Sequence, residues 1–458
     1  MRKISGKTYK KIMFAISLLA WLMLANEALL IHMKDQSQEE KLQKERQGQI
    51  PKDMQGYTQK NTQEYGQEGV QKDTEESIQG NTEERTAGDV SQSASRETKK
   101  QDPKIRVLLM DSGYDTYQHE KVSLEIKGKA VSYTAEDLKE TGEAITLDGG
   151  SEGITVTSLQ RNQGNPTYMG TLTIKRTEKG DALYLINELP LETYLEGVVP
   201  SEMPSSYHQE ALKAQAVCAR TYAWKQIEDG SLKEYGADVD DSVNFQVYQN
   251  QAPAESTTSA VVDTKGQVMT QNGELIQAYY FSTSAGTTST DQIWGADSPA
   301  PYLKSVACRF DKDQPWGSWI AEIPWEQVEK SAATYSQGKL LGLQITRKNE
   351  SSAVTGLTVN TELGSFLVEG EYDVRRFLTP AGCQITEQDG SAVTGGTLLP
   401  SAYFTMEQEA GNMIRIQGKG YGHGVGMSQS GADQMAEEGY TCQEILEYFF
   451  KDIQITRR

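Results

Sequence analysis

The chain has 458 residues, of which 37% are apolar and 24% charged, and its formal net charge at neutral pH is −19. So acidic a chain disfavours nonspecific binding to nucleic acid or to an anionic membrane surface. The apolar fraction is low for a wholly globular chain of this length, so a substantial part is expected to be disordered. The four cysteines, at positions 218, 308, 383 and 442, are too far apart for a zinc site or a CxxC redox motif.

The sequence pattern of residues 1–33 predicts a membrane-targeting segment. A basic stretch at residues 1–11 precedes an apolar run at residues 12–33, which is long enough to span a bilayer. The basic flank predicts that the start of the chain stays in the cytoplasm and that the rest is exported. An uncleaved single-pass anchor is the favoured interpretation, because residues 28–31 extend the apolar run. The alternative is a signal peptide cut near Ala25 or Ala28.

Residues 34–104 predict a disordered linker. This stretch is rich in Gln, Glu, Lys, Thr, Ser and Gly and has almost no large aliphatic side chains. Such a composition cannot bury enough apolar surface to offset the conformational entropy of folding. Its expected role is a tether between the membrane and a folded body at residues 105–458.

The folded body begins with strand patterns and a strongly indicated helix. Residues 105–110 predict a buried strand, and residues 122–126, 154–157 and 172–175 alternate apolar and polar side chains, which is typical of half-buried strands. An Ala-rich helix is expected to begin at Ser206, with Gln209 completing a capping box, and to end at Gly230. Cys218 is expected to be a small buried thiol inside this helix. Glu202 is expected in a turn before the helix, held by Pro200 and Pro204.

The later segments complete an α+β fold, in which a β-rich body carries flanking helices. The sequence predicts a loop and short strand at 240–248, a helix at 256–264 and a hairpin turning at Asn272-Gly273. Residues 299–400 are expected to form a smaller inserted lobe. Its predicted elements are helices at 324–333 and 370–378 and strands at 341–346, 354–359 and 365–369. Helices at 428–439 and 441–450 are expected to close the fold.

A second concentration of unusual sequence covers residues 418–429. Glycines occupy every second position from Gly418 to Gly426, a pattern that leaves one side of a strand bare for close approach. His423 lies between them and is able to hydrogen-bond to a sugar oxygen or an anion at neutral pH. Ser428 is expected to cap the next helix. The alternative is a tight packing crossover in which His423 is hydrogen-bonded in the core.

Chemistry based on acids and nucleophiles has several candidate residues. Hydrolysis by two carboxylates needs a pair at a defined separation. Four glutamates lie near one another in sequence: Glu192, Glu196, Glu202 and Glu210. The first two form an i, i+4 pair that suits a solvated helix face. A Ser-His-Asp triad using Ser282 or Ser284 with His423 lacks the Gly-x-Ser-x-Gly nucleophile elbow.

Three blocks of this sequence resemble the stage II sporulation protein D family and occur in the family's order. They are residues 189–204 with 210–223, residues 278–288 and residues 420–432. The resemblance implies a lytic transglycosylase that cleaves the MurNAc–GlcNAc bond of glycan strands without stem peptides and leaves a 1,6-anhydro-MurNAc end. The family's catalytic glutamate lies in a Ser-Glu-Met-Pro motif, which places it at Glu202 here.

The resemblance also implies substrate-binding residues. Arg220 matches a motif arginine that orients the carboxylate or binds sugar, with a structural ion pair as the alternative. The side chains expected to line the same groove are Tyr280, Ser282, Ser284, His423 and Gln429. Some family members have a zinc site in the loop that corresponds to residues 235–248. That loop has no cysteine or histidine here, so neither zinc nor another cofactor is expected.

The resemblance further implies a setting and partners. The body is expected between the two membranes of a developing spore during engulfment, acting on peptidoglycan glycan strands. The expected protein partners are a sporulation amidase that removes stem peptides and a membrane scaffold protein. The alternative function is a noncatalytic wall-binding module that enhances an amidase.

Overall fold

The computed structural model of the protein describes residues 102–409 and 412–458, which form a strand-rich mixed α+β fold. The predicted anchor at residues 1–33 and the predicted linker up to residue 101 lie outside the described residues. Within the described ranges, no helix has both the length and the apolar character that crossing a membrane requires.

The first part of the body consists of two sheets that share one core. Its elements are β1 (Lys104–Leu108), β2 (Lys121–Ile126), β3 (Lys129–Thr134), α1 (Ala135–Thr141), β4 (Ala144–Asp148), β5 (Ile154–Val156), β6 (Thr167–Tyr168), β7 (Thr171–Arg176) and β8 (Leu183–Pro190). The strand order is β4-β7-β8-β1 in one sheet and β3-β2-β5-β6 in the other. Leu124 of one sheet and Ile174 of the other belong to the same buried cluster. The predicted strands of this region are confirmed.

Two helices follow directly and carry the candidate catalytic residue. Helix α2 (Leu191–Glu202) starts where β8 ends and buries Tyr194 and Val198 in the same core. Helix α3 (Gln209–Asp229) is buried over most of its length, because its many alanines allow neighbouring elements to approach closely. It ends at Gly230 in the left-handed conformation, as predicted, with φ of 67°.

The start of α3 differs from the prediction. His208 is the capping residue, and its Nδ1 atom accepts a hydrogen bond from the backbone N–H of Glu210. The Ser206 capping box is therefore wrong, since Ser206 lies in the turn before the helix. The segment after α3 also differs, because the short strand is β9 (Val239–Asp240), which pairs with β1, and residues 246–248 form no strand.

The next elements lie against α3 in the fold. They are α4 (Glu255–Asp263), β10 (Gln267–Gln271), β11 (Glu274–Leu275) and β12 (Tyr280–Phe281). The predicted helix at 256–264 and the predicted turn at Asn272-Gly273 are confirmed, and both turn residues have positive φ. The second strand of this hairpin, β11, is short. Strand β12 does not extend it and pairs with a strand near the end of the chain.

Residues 316–418 build a cluster of buried side chains of their own, which includes Trp319, Val359 and Ile416. The elements are β13 (Trp319–Pro324), α5 (Trp325–Ala333), β14 (Leu340–Lys348), β15 (Val354–Thr361), β16 (Gly364–Glu369), α6 (Glu371–Phe377), β17 (Gln384–Glu387), β18 (Ala392–Thr394), β19 (Phe404–Glu409) and β20 (Met413–Gly418). They form the sheets β18-β17-β13-β20-β19 and β14-β15-β16. The predicted helices and strands here are confirmed, whereas the inserted lobe at 299–400 stays a prediction.

The end of the chain returns to the first helices. The last elements are β21 (Met427–Ser428), α7 (Gln429–Glu437), α8 (Cys442–Phe449) and β22 (Gln454–Arg457). Strand β21 pairs with β12, and β22 pairs with β10. The predicted cap of Ser428 on α7 is confirmed by its bond from the N–H of Gly431. Both predicted closing helices are confirmed.

The glycine-alternating segment is a loop and not a strand. Gly420, Gly422, Gly424 and Gly426 all have positive φ, between 76° and 106°. A Cβ atom on Gly426 would lie 2.1 Å from the carbonyl oxygen of Tyr279. The close approach that these glycines permit is therefore made by the protein's own backbone, as in the packing alternative.

Candidate active site

Glu202 is the last residue of helix α2. Pro200 lies inside the helix, and the backbone leaves it at Met203, which has extended φ and ψ. The expectation that Glu202 lies in a turn outside a helix is therefore wrong. The turn at residues 203–208 connects it to α3, so the two helices and their turn hold the carboxyl at a fixed place. The residue is half-buried.

Two hydrogen bonds reach the Glu202 carboxyl. The backbone N–H of Val247 donates to Oε1 over 2.6 Å, and the phenol of Tyr280 forms the other bond. Burial raises the pKa of Glu202 to about 7, although these two bonds act in the opposite direction. A carboxyl with this pKa is present in both protonation states near neutral pH, as a group that both gives and takes a proton requires.

A short hydrogen-bond chain holds the Tyr280 phenol. The Nε2 atom of Gln246 donates to the Tyr280 oxygen over 3.1 Å and to the carbonyl oxygen of Ala219 over 3.3 Å. A carbonyl can only accept, so this contact sets the orientation of the amide. The Gln246 oxygen then accepts from the Tyr194 hydroxyl over 3.3 Å. Because the Tyr280 oxygen accepts from Gln246, its own proton is available to donate to the ionised Glu202 carboxylate.

Both protein groups at the carboxyl are therefore donors. Both stabilise the ionised form, and the Val247 N–H, which has no lone pair, is unable to accept the proton of the neutral acid. A bound molecule that offers an acceptor is able to take that proton. This is the arrangement that general acid catalysis needs.

Contacts from distant segments also hold the end of α2. Gln429 Nε2 donates to the carbonyl oxygen of Glu202 over 3.1 Å and to Gln215 Oε1 over 3.3 Å. The Ser201 hydroxyl accepts from the backbone N–H groups of Asn250 and Gln251. The structure thus places the predicted residues Tyr280 and Gln429 beside Glu202, where they contact its side chain and its backbone.

Arg220 lies away from solvent in an ion pair with Glu192. Its exposed fraction is 0%, and its guanidinium forms two parallel hydrogen bonds to the Glu192 carboxylate, of 2.8 and 2.7 Å. Its remaining N–H groups reach acceptors such as the Val261 carbonyl. This placement fits the ion-pair alternative better than contact with sugar. The expectation of a solvated face at Glu192 is wrong.

The other glutamates do not supply a second carboxyl to this site. Glu210 bonds to Lys213 and to the backbone N–H of Cys442. Glu196 is half-buried on α2, where burial and the charge of Glu192 raise its pKa. The described contacts therefore give Glu202 hydrogen-bond donors and no carboxylate partner.

The two serines have different surroundings. Ser284 is buried, and its hydroxyl donates to the carboxylate of Asp311 over 2.6 Å. Asp311 also accepts from the Ser428 hydroxyl over 2.8 Å and from the Cys308 thiol. Ser282 is half-buried and shares a hydrogen bond with the Thr283 hydroxyl. The structure thus gives Ser284 a packing role at Asp311.

His423 lies among aromatic rings and uses its nitrogens on the backbone. Its Nδ1 atom accepts from the N–H of Val425, and the ring also bonds to the backbone of Tyr280. Burial and the nearby charge of Arg375 lower its pKa to about 4, so the ring is neutral. Its ring contacts Phe281, the strand neighbour of Tyr280. Consecutive strand residues point to opposite faces, so His423 and the Glu202 carboxyl lie on different sides of β12. No serine contacts its nitrogens, so a triad has no support.

Sequence reasoning missed the residues that hold the Glu202 carboxyl, apart from Tyr280. Val247 acts through its backbone N–H, which leaves no side-chain signal. Gln246 and Tyr194 are buried and are ordinary residues in sequence. The only signal in the sequence was position, because residues 246–248 end the loop 235–248 in which a zinc site was sought.

Among the described residues, no group of three or more His, Cys, Asp or Glu side chains is arranged to hold a metal ion. The loop at 235–248 is instead held by ionic contacts. Asp238 pairs with Arg106, and the buried Asp241 pairs with the buried Arg161 over 2.6 Å. All four cysteines are free thiols, and Cys218 is buried in α3 as predicted.

The fold and the site together define a strand-rich α+β protein in which a half-buried glutamate of raised pKa ends a helix. A family model described as stage II sporulation protein matches residues 179–271. The chain is 33% identical over 310 residues to stage II sporulation protein D of Bacillus subtilis (strain 168), which covers 64% of this chain and 83% of that protein. It is also 32% identical over 285 residues to the protein of the same name in Bacillus amyloliquefaciens, covering 59% of this chain and 75% of that protein.

The chain therefore belongs to the stage II sporulation protein D family, a family of sporulation proteins. It is also similar to the amidase enhancer of Bacillus subtilis (strain 168), at 31% identity over 326 residues, 63% of this chain and 44% of that protein.

Proposed function

We propose that the protein is a lytic transglycosylase that cleaves the MurNAc–GlcNAc bonds of peptidoglycan strands lacking stem peptides. The observation that supports this proposal is the Glu202 carboxyl, whose protein partners are donors and whose pKa is raised to about 7. Such a group is able to act first as an acid and then as a base. That sequence is what a transglycosylase with a single carboxyl needs.

The proposed reaction proceeds in two proton transfers. Glu202 protonates the glycosidic oxygen, and the bond from that oxygen to C1 of MurNAc breaks. The C6 hydroxyl of the same MurNAc forms a new bond to C1, and the Glu202 carboxylate takes the hydroxyl proton. The products are a strand with a free hydroxyl and a 1,6-anhydro-MurNAc end, and Glu202 is again protonated. No water and no second carboxylate take part, in contrast to ordinary glycoside hydrolysis.

The donors around Glu202 have separate tasks in this scheme. The Val247 N–H and the Tyr280 hydroxyl stabilise the carboxylate that forms after the first transfer. Gln429 and the two helices hold the backbone. Pre-set donors of this kind do not need to reorganise during the reaction.

We further propose the cellular setting implied by the family. The protein is anchored in the membrane by residues 1–33 and acts between the membranes of the developing spore. Its partners are an amidase that removes stem peptides and a membrane scaffold protein. These proposals rest on the resemblance and on the N-terminal sequence.

The similarity to a protein named amidase enhancer favours a second candidate, a noncatalytic module that binds wall glycan and enhances an amidase. The two candidates differ in what they require of Glu202. Catalysis needs a Glu202 side chain that is able to give up a proton. Noncatalytic binding needs only a side chain of the same size and shape.

The experiment incubates the purified full-length chain with peptidoglycan strands stripped of stem peptides and analyses the products by mass spectrometry. The wild type is expected to yield anhydro-ended fragments, and Glu202→Gln is expected to lose at least about 100-fold in rate, because it removes the acid. Equal product from both proteins would refute the assignment of Glu202. No product from the wild type, together with stimulation of an amidase, would favour the enhancer.

A further inference from the structure

Asp311 is a buried carboxyl group that the proposed reaction does not use. It ends a short 3₁₀ turn, Arg309–Asp311, and its exposed fraction is 1%. Among the described residues its side-chain partners are neutral donors, which are Ser284, Cys308 and Ser428. Removing a carboxylate from water costs free energy that neutral donors offset only in part. Its presence therefore calls for an explanation other than stability.

The two oxygens of Asp311 bind different segments of the chain. Oδ1 accepts a hydrogen bond from the Ser428 hydroxyl over 2.8 Å. Oδ2 accepts from the Ser284 hydroxyl over 2.6 Å and from the Cys308 thiol over 2.8 Å. The thiol bond stays within one turn, whereas the two hydroxyl bonds reach 27 and 117 residues along the chain. The carboxylate therefore joins the segment after β12 to the start of helix α7.

The first turn of α7 lies directly against this carboxylate. A Cβ atom on Gly431 would lie 3.0 Å from Asp311 Oδ2 and 2.9 Å from Cys308 Sγ, so glycine permits the close approach. The N-terminal end of a helix carries a partial positive charge, which favours a carboxylate nearby. The helix that begins with Gln429 is thus held at Asp311 both by packing and through Ser428.

The two segments that Asp311 joins are also segments that contact Glu202. Strand β12 contains Tyr280, whose phenol bonds to the Glu202 carboxyl. Ser428 directly precedes Gln429, whose side chain donates to the Glu202 carbonyl oxygen over 3.1 Å. These two contacts of Glu202 therefore come from segments that are bonded to one carboxylate.

Further bonds keep the two segments at a fixed distance from each other. Strands β12 and β21 pair over two residues each. The backbone N–H of Ser430 donates to the Ser282 carbonyl oxygen over 2.9 Å, and the hydroxyls of Thr283 and Ser430 share a bond of 3.0 Å. A displacement at Asp311 is therefore passed to both segments together, and so to the groups that hold Glu202.

We propose that Asp311 is a positioning residue, which fixes the paired segments at β12 and β21 so that Tyr280 and Gln429 reach Glu202. It acts through its two serine partners and not by contact with the Glu202 carboxyl. The inference rests on the proposed function for the task that Glu202 performs.

Asp311→Asn is the variant that tests this role. An amide offers one acceptor oxygen, so at least one of the two serine hydroxyls then faces an N–H donor. The remaining bond loses the charge that strengthens it. The segments are expected to loosen, and the bond from Tyr280 to the Glu202 carboxylate is expected to weaken. A weaker bond to the ionised form raises the pKa of Glu202.

The pKa of Glu202 is a suitable readout because its titratable neighbours do not change charge near neutral pH. These neighbours are the phenols of Tyr194, Tyr222 and Tyr280, and burial raises the pKa of each above its ordinary value of 10.0. They remain neutral below about pH 9. A change near pH 7 that depends on Glu202 therefore belongs to its own carboxyl.

The measurement follows this pKa without substrate. The free energy of unfolding in urea is measured from about pH 5 to about pH 9 for each full-length protein and for the same protein carrying Glu202→Gln. Folded Glu202 binds its proton more tightly than unfolded Glu202, so the difference between the two proteins grows as the pH rises and levels off above the folded pKa. Asp311→Asn is expected to move this levelling to higher pH, by roughly half a pH unit.

Two controls separate positioning from general destabilisation. In a Tyr280→Phe background, Asp311→Asn is expected to cause no further rise, because the bond that it weakens is already absent. Cys308→Ala removes a donor to the same carboxylate but joins no second segment, so the levelling is expected to stay at the pH of the wild type. Equal levelling in Asp311→Asn and Cys308→Ala overturns the proposal, as does a full rise in the Tyr280→Phe background. If Asp311→Asn does not fold, Ser284→Ala decides, and an unchanged levelling there overturns the proposal.

This result does not depend on whether the protein cleaves glycan. A rise of the levelling pH, together with a wild type that gives no anhydro-ended fragments, would refute the proposed function and leave the positioning role standing. Cleavage by the wild type, together with an unchanged levelling in Asp311→Asn, would refute the positioning role and leave the proposed function standing.

Discussion

At the scale of single residues, the environment of Glu202 determines its chemistry. An acid in water has a pKa far below neutrality and would be ionised when a substrate arrives. Burial at the end of helix α2 raises the pKa, and the two donors limit the rise. The balance leaves a mixed population at neutral pH. Two predictions test this balance.

Tyr280→Phe removes the hydroxyl that stabilises the ionised carboxyl. The pKa of Glu202 is therefore expected to rise above 7, and the alkaline limit of glycan cleavage is expected to move to higher pH. The measurement is the pH dependence of kcat/KM on stripped glycan strands. Tyr222→Phe is the control, since the Tyr222 phenol is near Glu202 but, among the described residues, the bonds to that carboxyl come from Val247 and Tyr280. An alkaline limit that stays in place or moves to lower pH would contradict the role given to Tyr280.

Glu202→Gln is expected to stabilise the protein, and to do so only above acidic pH. The pKa is about 7 in the folded protein against an ordinary value of 4.5. The folded state therefore binds more protons between these values, and the wild type loses stability as the pH rises through this window. A shift of this size corresponds to at most about 3 kcal/mol at pH 8 and to nothing at about pH 4. Urea unfolding across this range should show the two proteins diverging, and parallel curves would count against the raised pKa.

At the scale of elements, helices α2 and α3 form one rigid unit around Glu202. The ion pair between the partly buried Glu192 and the buried Arg220 joins the start of α2 to the middle of α3. Gly197 allows the Tyr248 ring to lie against α2, since a Cβ there would come within 2.7 Å of it. Both contacts fix the axis along which the carboxyl is presented.

Arg220→Met is expected to destabilise the protein by about 3 to 5 kcal/mol, because it leaves the Glu192 carboxylate buried without its cation. The double variant Glu192→Met with Arg220→Met should recover much of this loss. Recovery should be incomplete, because the backbone N–H of Gly266 also loses its acceptor on Glu192. Denaturant midpoints of the wild type, the single variant and the double variant provide the measurement. A single variant as stable as the wild type would mean that the pair is dispensable.

Elements with a strong local pattern were predictable from sequence, and contacts between distant segments were not. Helix α4, the turn at Asn272-Gly273 and the strands of residues 340–369 follow their alternation and turn residues closely. The glycine segment was misinterpreted, because alternation suggests a strand while four positive φ values make a loop. Glu202 itself was found through a family motif. Its partners Val247 and Gln246 became visible only when the chain was folded, since their role depends on tertiary contact.

At the scale of the whole molecule, strand β22 completes the sheet that also contains β10 and β11. Strand β22 pairs with β10 over residues 267–270. Its Ile455 packs against the cluster of buried side chains that includes Met269 and Phe449. The C-terminal residues are thus part of the fold, although they lie far in sequence from Glu202.

Deletion of residues 454–458 is expected to destabilise the protein by about 3 kcal/mol or more, because it removes a strand ladder and uncovers apolar surface. Thermal unfolding of the full-length chain and of the truncated chain measures the effect. The control is Arg458→Ala, which removes a partly exposed ion pair with Glu228 and a contact over the Trp224 ring and should cost about 1 kcal/mol, clearly less than the deletion. A truncated chain with unchanged Tm would show that β22 is dispensable.

The hydrogen bond from Gln429 to the backbone of Glu202 spans 227 residues of sequence. A chain grows from its N-terminus, so Glu202 is synthesised long before the residue that secures it. Until the ribosome has passed residue 429, the glutamate has neither Gln429 nor the strand that pairs with β12. Any activity that depends on this site therefore begins only after residues 427–429 have been made. For a protein proposed to cut the cell wall, this order of assembly separates synthesis from action in time.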